Sequence, residues 1–266
     1  MDFDLTGRVA IVTGGAQGLG RACCIELARH GADIVVVARE AEEVTAGRSR
    51  PHAPVREVVS EVQALGRKAI GVTADVRDKE QVESMVQQVL TEFDTVDILV
   101  NVVGGSWGET FKAGPLMELT EHDLLEAYRV NLVSMFQCSV AVVPIMKKQG
   151  KGSIINIASI AGRAPSPDSP AYGAAKAGVI NMTQSMAASW GPDVRVNVIA
   201  VGGIETPHRP RWSESSAAIY TTPGGSSALG RLGKPEEHAG TVVWLASDYA
   251  GYITGECIDA NGGTRR

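Results

Sequence analysis

Short apolar runs alternate with longer amphipathic stretches along this chain. The runs are rich in Val and Ile and mostly continuous, which is typical of strands buried on both faces of a parallel sheet. They predict strands at Val9–Thr13, Asp33–Ala38, Lys68–Thr73, Val96–Asn101, Ser153–Ala158, Val194–Ala200 and Cys257–Ala260. The amphipathic stretches predict helices at about Gly18–His30, Val55–Leu65, Lys79–Phe93, Glu121–Lys148, Ala171–Trp190 and Pro235–Ser247.

This alternation predicts the fold class. Strands joined through helices form right-handed crossovers, so we expect an α/β fold with a doubly wound, Rossmann-like parallel sheet of about seven strands and helices on both faces. The chain shows neither an internal repeat nor a Pro/Gly-rich linker that would separate two domains. We therefore predict a single domain over residues 1–266.

Two polar stretches interrupt the alternation. Residues 40–54, between Arg39 and Val55, contain Pro51 and Pro54 and are typical of a surface loop. Residues 206–229 are rich in Pro, Ser and Gly. A loop of that length inside a compact domain is more often functional than not, which favours a substrate lid; the alternative is a disordered excursion.

Composition narrows the possible functions. The 266 residues are 44% hydrophobic and 21% charged, as in globular proteins, and the net charge of −5 disfavours binding to nucleic acid or anionic membranes. Four cysteines without metal-ligand spacing are interpreted as reduced packing residues. With no secretory signal and no run of 18 apolar residues, we expect a soluble cytoplasmic protein that does not span a membrane.

A glycine-rich turn, TGGAQGLG, follows the first predicted strand and opens the first helix. In this context Gly14 permits a tight turn, Gly18 lets a pyrophosphate approach the backbone, and Gly20 allows the helix to pack closely on the sheet. The helix N-terminus, with Gln17 and Leu19, offers N–H groups to the phosphates. The turn predicts a dinucleotide site.

The residue that ends the second strand indicates which dinucleotide binds. An NAD site places Asp or Glu there to bond the ribose 2′-OH, but this chain has Arg39. A guanidinium cannot accept a hydrogen bond but can bind a 2′-phosphate, so NADP is favoured. NAD stays possible because Glu40 is adjacent and Gln17 is neutral, and Arg39 could also be a solvated surface residue.

Further polar or small residues end the next two strands. Asp75 is placed to accept a hydrogen bond from the adenine amino group, with Val76 packed on the ring, while Asn101 and Gly104 follow the fourth strand. Each alone could be a turn residue. Because the carboxyl ends of parallel strands share one edge, together they support a common crevice.

A hydroxyl, a phenol and an ammonium form the candidate proton-transfer group. Ser159 ends the fifth strand, and Tyr172 and Lys176 lie four residues apart on one helical face. A free phenol has a pKa of about 10, and a nearby ammonium lowers it toward the range useful for acid–base catalysis. Taken singly, Ser159 could be a capping serine and Lys176 a solvated helix charge.

Together these motifs resemble the short-chain dehydrogenase/reductase family over essentially the whole chain. The turn from Thr13 to Gly20 matches the family's TGxxxGxG, Asn101 begins the segment equivalent to NNAG, and Ser159, Tyr172 and Lys176 match the catalytic motif. Asn101-Val102-Val103-Gly104 and Val201-Gly202 depart from the family's NNAG and Pro-Gly, which puts the shape of the pocket in doubt.

The resemblance also implies roles and an assembly. It implies that Tyr172 is the acid/base, Ser159 polarises the carbonyl, and Lys176 binds the nicotinamide ribose and lowers the tyrosine pKa. Asn131 would hold a relay water, and Thr206, with the backbone near Ile204, would contact the nicotinamide carboxamide. It further implies a homo-oligomer, a dimer or tetramer.

We therefore predict an NADP-preferring oxidoreductase that interconverts a secondary alcohol and a ketone. One alternative is an NAD-dependent dehydrogenase of a dihydrodiol, sugar or hydroxysteroid; another is a catalytically silent dinucleotide-binding regulator. Substrate identity is left open. The candidate pocket walls are Gly105, Ser106, Trp107, Ile160, Arg163, Ala164, His208, Trp212 and Tyr220.

Overall fold

The structure, a computed structural model, describes residues 3–39, 55–105, 110–205 and 227–264. Within them seven strands form one sheet. They are β1 (Val9–Thr13), β2 (Asp33–Ala38), β3 (Ala69–Thr73), β4 (Ile98–Asn101), β5 (Gly152–Ser159), β6 (Val194–Val201) and β7 (Cys257–Ala260). Every pairing is parallel, and the strand order is β3-β2-β1-β4-β5-β6-β7. The predicted fold class is confirmed.

Helices connect the strands as predicted, with ends that differ by one or two residues. They are α1 (Gly18–Arg29), α2 (Val55–Ala64), α3 (Lys79–Phe93), α4 (Glu121–Tyr128), α5 (Ser134–Gln149), α6 (Pro170–Trp190) and α7 (Pro235–Ala246). Asp78 caps the N-terminus of α3 by accepting from the backbone of Glu80 and Gln81, and Thr120 with Asp123 forms a capping box on α4.

The helix predicted over Glu121–Lys148 is present and runs from Glu121 to Gln149. A turn of π-helix, Arg129–Val133, which the sequence did not predict, joins α4 to α5 within it. In this turn the side-chain Nδ2 of Asn131 donates a hydrogen bond to the backbone carbonyl oxygen of Ala127 at 3.0 Å. A π turn inserts one residue into the helical repeat, and such insertions are frequent at functional sites.

The strand order reverses between β1 and β4, which lie side by side although two strands and three helices separate them in sequence. Their carboxyl ends are level, because Thr13 is paired with Asn101. In open α/β sheets a reversal of this kind leaves a crevice at the carboxyl edge, where ligands bind. The glycine turn after β1 therefore borders the expected position of a ligand.

Both faces of the sheet are covered by apolar side chains. One cluster packs α1 and α7 against the sheet, with Leu27 and Val242 fully buried, and the other packs α3 and α5, with Met85 and Val142 fully buried. No disulfide joins the cysteines, and burial raises the pKa of the thiols of Cys23, Cys24 and Cys138, as expected for packing residues.

The segment Glu121–Gln149 is long and apolar enough to cross a membrane by length and composition alone, with a mean hydropathy of 1.5 over 18 residues. The sequence prediction of no membrane span did not anticipate this segment. Core helices of water-soluble proteins meet the same criterion, and Met135, Cys138 and Val142 of α5 pack on the sheet.

Candidate active site

The glycine turn is shaped by one left-handed residue and one close approach of the backbone. Gly14 has φ +67, a left-handed conformation that favours glycine. A Cβ atom on Gly20 would lie 2.1 Å from the carbonyl oxygen of Gly14, so a side chain there would collide with the turn itself. The start of α1 can therefore lie directly beside the end of β1.

The N-terminus of α1 is free of acidic groups in its first turn. Gln17 is the N-cap residue, and its side chain forms no capping hydrogen bond. N–H groups at such a terminus, together with the helix dipole, favour an anion. These features fit the pyrophosphate of a dinucleotide, for which Gly18 (φ +50) leaves the approach open.

Thr13 and Val103 connect this turn to the end of β4. The buried Thr13 hydroxyl accepts hydrogen bonds from the backbone N–H groups of Val102 and Val103, at 3.1 and 3.4 Å. A Cγ atom of Val103 lies 3.4 Å from the place where Gly14 would carry a Cβ. The two valines that depart from the family motif therefore pack against the turn without displacing it.

Gly104 leaves room for the side chains of Asn131 and Lys176 and the backbone of Gly105 to meet behind the expected crevice. Its φ is +149, and a Cβ atom there would lie 2.6 Å from Oδ1 of Asn131 and 2.9 Å from Nζ of Lys176. Asn131 also accepts from the backbone N–H of Gly105 at 2.9 Å and donates to its carbonyl oxygen at 3.2 Å. The π turn thus places Asn131 and Lys176 on either side of the same glycine.

Ser159 lies where β5 enters a short 3₁₀ helix, Ile160–Gly162. Its Oγ accepts a hydrogen bond from the backbone N–H of Ala161 at 3.2 Å. Ser159 therefore caps the 3₁₀ helix, which is the alternative role that the sequence analysis named for it. Because this contact uses a lone pair, it leaves the hydroxyl hydrogen able to donate to a substrate oxygen. Capping and polarising roles are compatible.

Two glycines press the 3₁₀ helix onto α6. A Cβ on Gly162 would lie 2.6 Å from the backbone carbon of Lys176, and one on Gly173 would lie 2.9 Å from the carbonyl oxygen of Ala161. The segment that begins at Ser159 is therefore held against the helical turn that carries Tyr172 and Lys176. Sequence analysis did not assign these glycines a role.

Lys176 is 3% exposed, and its Nζ donates to the carbonyl oxygen of Ile157 at 2.8 Å. Burial lowers its pKa to about 8, so the side chain is still mostly charged at neutral pH. Nζ lies 5.8 Å from the centroid of the Tyr172 ring, which is partly buried against Phe111 and Ala127. A cation at this position stabilises negative charge on the phenol oxygen.

Asn101 lies in a buried polar chain beneath the crevice. Its amide nitrogen donates to Oδ1 of Asn156 at 2.9 Å and to Oγ of Ser139 at 3.1 Å, and Asn156 donates to Oγ1 of Thr183 at 2.9 Å. The amide nitrogen of Asn101 is therefore used within this network, whereas its Oδ1 is buried with no hydrogen-bond partner among the described residues. The predicted cofactor role of Asn101 stays a prediction.

The adenosine edge brings together Arg39, Asp75 and Arg77. The N–H of Ala74 donates to the carbonyl oxygen of Ala38 at 3.1 Å, which sets the residues after β2 and β3 side by side. Val76 is 3% exposed within the core, so its contact with an adenine ring stays a prediction. The ion pair between Arg77 and Asp75 was not predicted, because a residue two positions after an acid resembles an ordinary turn residue in the sequence.

At the expected nicotinamide end, Ile204 pairs with Gly233 in an isolated β-bridge. The backbone N–H of Glu205 donates a hydrogen bond to the carbonyl oxygen of Gly233 at 2.8 Å. Thr206 and most of the predicted lid, residues 206–226, lie outside the described residues, as do Ser106, Trp107 and residues 40–54. Next to the bridge, His238 is 5% exposed, and neither ring nitrogen has a hydrogen-bond partner among the described residues.

Arg163, a candidate for binding an acidic substrate, already has an acidic partner. Its guanidinium lies 3.4 Å from the carboxylate of Asp259 in β7. Because β6 lies between β5 and β7, this ion pair reaches across one strand. The pair connects the catalytic segment to the sheet edge. Together, the described contacts bring Asn131 and Lys176 together at Gly104 and hold the segment after Ser159 against the helical turn that carries Tyr172 and Lys176.

Comparisons with known proteins agree with this geometry. Residues 14–265 match the family model described as Enoyl-(Acyl carrier protein) reductase. The chain is 34% identical to the 3-oxoacyl-(acyl-carrier-protein) reductase FabG of Thermotoga maritima, over 97% of this chain and 98% of the relative.

Solved structures of the same shape include enzymes that use either nicotinamide cofactor. A 7α-hydroxysteroid dehydrogenase complexed with NADH and 7-oxo glycochenodeoxycholic acid superposes with a TM-score of 0.87 at 28% identity, covering 99% of this chain and 96% of that one. The NADPH-dependent 3-quinuclidinone reductase of Rhodotorula rubra gives 0.84 at 28% identity, with 98% and 92% covered.

Proposed function

Because the chain belongs to the short-chain dehydrogenase/reductase family of oxidoreductases, we propose that it interconverts a secondary alcohol and a ketone with NADP as the preferred cofactor. The observation that carries this proposal is the cluster formed by the buried Lys176, the π-turn Asn131 and the glycine that admits both. A regulator that only bound a dinucleotide would need the glycine turn, but it would have no use for a buried lysine beside a tyrosine.

The residues of the chain divide the proton chemistry among them. The nicotinamide, when bound, supplies or accepts the hydride at the carbonyl carbon. Ser159 donates a hydrogen bond to the substrate oxygen, and Tyr172 gives that oxygen its proton in reduction or removes it in oxidation. Lys176 stabilises the phenolate that results, and Asn131 lies on the route from Lys176 toward solvent.

The residues at the glycine turn fit a dinucleotide. The first turn of α1 has no acidic side chain and no side-chain cap, so its N–H groups are available to a pyrophosphate. Gly14 and Gly18 adopt left-handed backbone conformations, which are strained for residues that carry a Cβ atom. Lys176 and Tyr172 would hold the nicotinamide ribose, and the backbone near Ile204 with Thr206 would hold the carboxamide.

NADP is favoured over NAD by Arg39, which follows β2 and is partly buried at the adenosine edge. A guanidinium at this point attracts a 2′-phosphate and gives the 2′-hydroxyl of NAD no acceptor. The second candidate is an NAD-dependent hydroxysteroid-type dehydrogenase. It is supported by the similarity to the hydroxysteroid dehydrogenase solved with NADH.

Steady-state kinetics separate these candidates. The purified enzyme is assayed with NADPH and NADH against a panel of cyclic, steroid and aliphatic ketones, and with both oxidised cofactors against the matching alcohols. We expect kcat/KM to be at least about tenfold higher with the phosphorylated cofactor, since a charged hydrogen bond contributes roughly 1.5–3 kcal/mol. A preference for NADH would favour the second candidate, and no turnover with any pair would favour the regulator.

We also propose that the enzyme is a homo-oligomer assembled through α4 and α5. Leu125, Phe136 and Val140 are 61, 42 and 44% exposed on these helices, and contiguous exposed apolar side chains of this kind mark interfaces. A monomer seen by light scattering at micromolar concentration would contradict this arrangement. The cytoplasmic location expected from the sequence remains a proposal.

A further inference from the structure

A small apolar cluster supports the ring of Tyr172. Its buried members are Phe111, Ala127 and Ala171, which are 6, 0 and 2% exposed, and the partly buried Tyr172 packs against them. This Phe111 cluster is separate from the two clusters that cover the faces of the sheet. Because the other two buried members are alanines, the ring of Phe111 supplies the largest share of the buried apolar surface.

Three elements meet in the Phe111 cluster. Phe111 lies in the segment between β4 and α4, Ala127 lies in the last turn of α4, and α6 contributes Ala171 and Tyr172 from its first turn. Ala171 cannot fix the Tyr172 ring relative to the rest of the protein, because both belong to the same helical turn. That task falls to the members of the cluster that come from outside α6.

Two hydrogen bonds hold the backbone on either side of Phe111. The backbone N–H of Lys112 donates to Oδ1 of Asp123 at 2.6 Å. The carbonyl oxygen of Thr110 lies 3.2 Å from Nε2 of His122, which donates to it in the tautomer that carries a hydrogen on this nitrogen. His122 and Asp123 are neighbours in the first turn of α4, so both sides of Phe111 are tied to the start of one helix.

The carboxylate of Asp123 is a firm anchor for this segment. Asp123 is 7% exposed, and its Oδ2 accepts from the hydroxyl and the backbone N–H of Thr120 at 2.6 and 2.9 Å. These hydrogen bonds, with the one from Lys112, lower the pKa of Asp123 to about 2, so it is ionised at neutral pH. Hydrogen bonds to an ionised acceptor are stronger than those between neutral groups.

Tyr172 and Lys176 have different supports. Lys176 is anchored by its hydrogen bond to the carbonyl oxygen of Ile157 in β5, whereas the ring of Tyr172 packs on the Phe111 cluster. Nζ of Lys176 lies 5.8 Å from the centroid of that ring. A change at Phe111 should therefore displace the phenol and leave the lysine in place.

We propose that Phe111, held in place by Asp123, is a positioning residue for Tyr172. This inference rests on the proposed function and deepens it. The ring of Phe111 keeps the phenol beside the ammonium of Lys176 and within reach of the substrate oxygen, and the carboxylate at the start of α4 fixes the backbone next to Phe111. Because Phe111 is buried, it acts through Tyr172 and supplies no group to the reaction.

Phe111→Ala tests whether the cluster positions the phenol. With saturating cofactor and substrate, we expect kcat to fall about 10- to 100-fold, because a misplacement of about 1 Å at a reacting group has an effect of this size. The KM of the substrate and the Kd of the cofactor should stay unchanged, since neither depends on the phenol's exact position. Phe111→Leu keeps most of the apolar volume and should restore kcat to within about threefold of the unmodified protein.

Fluorine NMR reports on the Tyr172 ring without turnover. The five tyrosines of the chain are labelled as 3-fluorotyrosine, and the signal that is missing in Tyr172→Phe belongs to Tyr172. In Phe111→Ala this signal should move toward that of the unfolded protein, while the other four keep their positions. In Phe111→Leu it should stay close to its original position.

Asp123→Asn tests the anchor without changing the cluster itself. Asparagine has nearly the same shape, but one carboxylate oxygen becomes an amino group that cannot accept from Thr120 or Lys112. We expect kcat to fall about 3- to 10-fold and the Tyr172 signal to move in the same direction. Added to Phe111→Ala, it should lower kcat less than about twofold further, because both substitutions act through one cluster.

Two matched controls replace residues of the same types elsewhere. Phe93→Ala removes a partly buried ring at the end of α3, and Asp97→Asn removes a carboxylate that accepts from the backbone N–H of Val9 at the amino end of the sheet. Both should lower the Tm, but kcat should stay within about twofold of the unmodified protein and the Tyr172 signal should not move.

The outcomes separate the inference from the proposed function. An unchanged kcat and an unmoved Tyr172 signal in Phe111→Ala would overturn the role of Phe111, and so would an equal loss of kcat in Phe93→Ala. If Phe111→Ala does not fold, Asp123→Asn decides: a moved signal supports the inference, and an unmoved signal overturns it. Absence of turnover by the unmodified protein with any substrate would contradict the proposed function, while the fluorine signals still show whether Phe111 positions Tyr172.

Discussion

Lys176 donates a hydrogen bond from its buried Nζ to the carbonyl oxygen of Ile157, 2.8 Å away on the strand that ends at Ser159. The contact joins α6 to β5. Among the described residues no carboxylate forms a salt bridge with Lys176, and its ammonium donates to a backbone carbonyl oxygen instead. Its charge is therefore directed toward whatever negative charge develops on Tyr172.

Replacement of Tyr172 by phenylalanine removes the proton donor and little else. We expect kcat to fall at least about 100-fold, because a positioned general acid or base contributes 10²–10⁴-fold, while the Kd of the cofactor changes little. Stopped-flow turnover and cofactor titration measure the two quantities. Tyr249→Phe is the control, since Tyr249 is 57% exposed and packs on Phe3. Full turnover in Tyr172→Phe would disprove the mechanism.

Lys176→Met should abolish turnover and yet stabilise the fold. Keeping a charge in a buried site costs free energy, and the lost bond to Ile157 offsets part of the gain, so we expect a net increase of about 1–2 kcal/mol in the free energy of unfolding at pH 7. Urea denaturation measures it. Lys148→Met, an exposed position, should stay within about 0.5 kcal/mol of the unmodified protein.

The pH dependence of that difference has a definite sign. The folded-state pKa of Lys176 is about 8, whereas the side chain in the unfolded state keeps its proton to its ordinary value of 10.5. Between these values the unfolded state binds more protons, so the stability of the unmodified protein rises with pH. The advantage of Lys176→Met should shrink over this range; a constant advantage would mean that Lys176 is not buried as a charged group.

Gly104→Ala should disturb the site through a collision. The added Cβ would lie 2.6 Å from Asn131 and 2.9 Å from Lys176, at a φ of +149, so we expect a loss of about 2–4 kcal/mol in stability and a lower kcat. Gly66→Ala is a matched control, because Gly66 has φ +78 but open space around it, and should cost about 1–2 kcal/mol without affecting kcat. Equal losses in both variants would exclude the collision.

His238→Leu should stabilise the protein most at acidic pH. Burial lowers the pKa of His238, opposed by the charge of Glu237, so the folded state holds the neutral ring. The stability that depends on this neutral ring is complete above the unfolded pKa and is lost as pH falls through the folded one. We expect the gain to be about 1 kcal/mol at pH 7 and larger near pH 5. His122→Asn, at an exposed position, should show no such trend in thermal melts.

The fold was predictable because most strands are continuous runs of apolar residues. Five to eight consecutive buried residues, as in β1 and β5, are typical of strands covered on both faces, and their alternation with helices predicts a parallel sheet. The π turn was not predictable in the same way. Hydrophobic periodicity averages over several turns, so one inserted residue at Asn131 leaves the pattern almost unchanged.

The candidate proton-transfer residues were predicted from their spacing, but the contacts that support them were not. That Gly162 and Gly173 press one segment onto another depends on contacts between residues distant in sequence. The pairing of Arg77 with Asp75 was overlooked for a different reason, since a residue two positions after an acid is usually a solvated turn residue. The sequence pattern also did not indicate that the ring of His238 is buried with no hydrogen-bond partner among the described residues.

A buried network of polar side chains limits which substitutions its members tolerate. Its hydrogen bonds link four residues: Ser139, Asn101, Asn156 and Thr183. Removing any one member leaves its neighbour with an unsatisfied group in the interior, so single replacements are costly. Joint replacement by apolar residues of similar volume avoids that penalty. Variants at these four sites should therefore show strong epistasis, and a mutational library should recover them only in matched combinations.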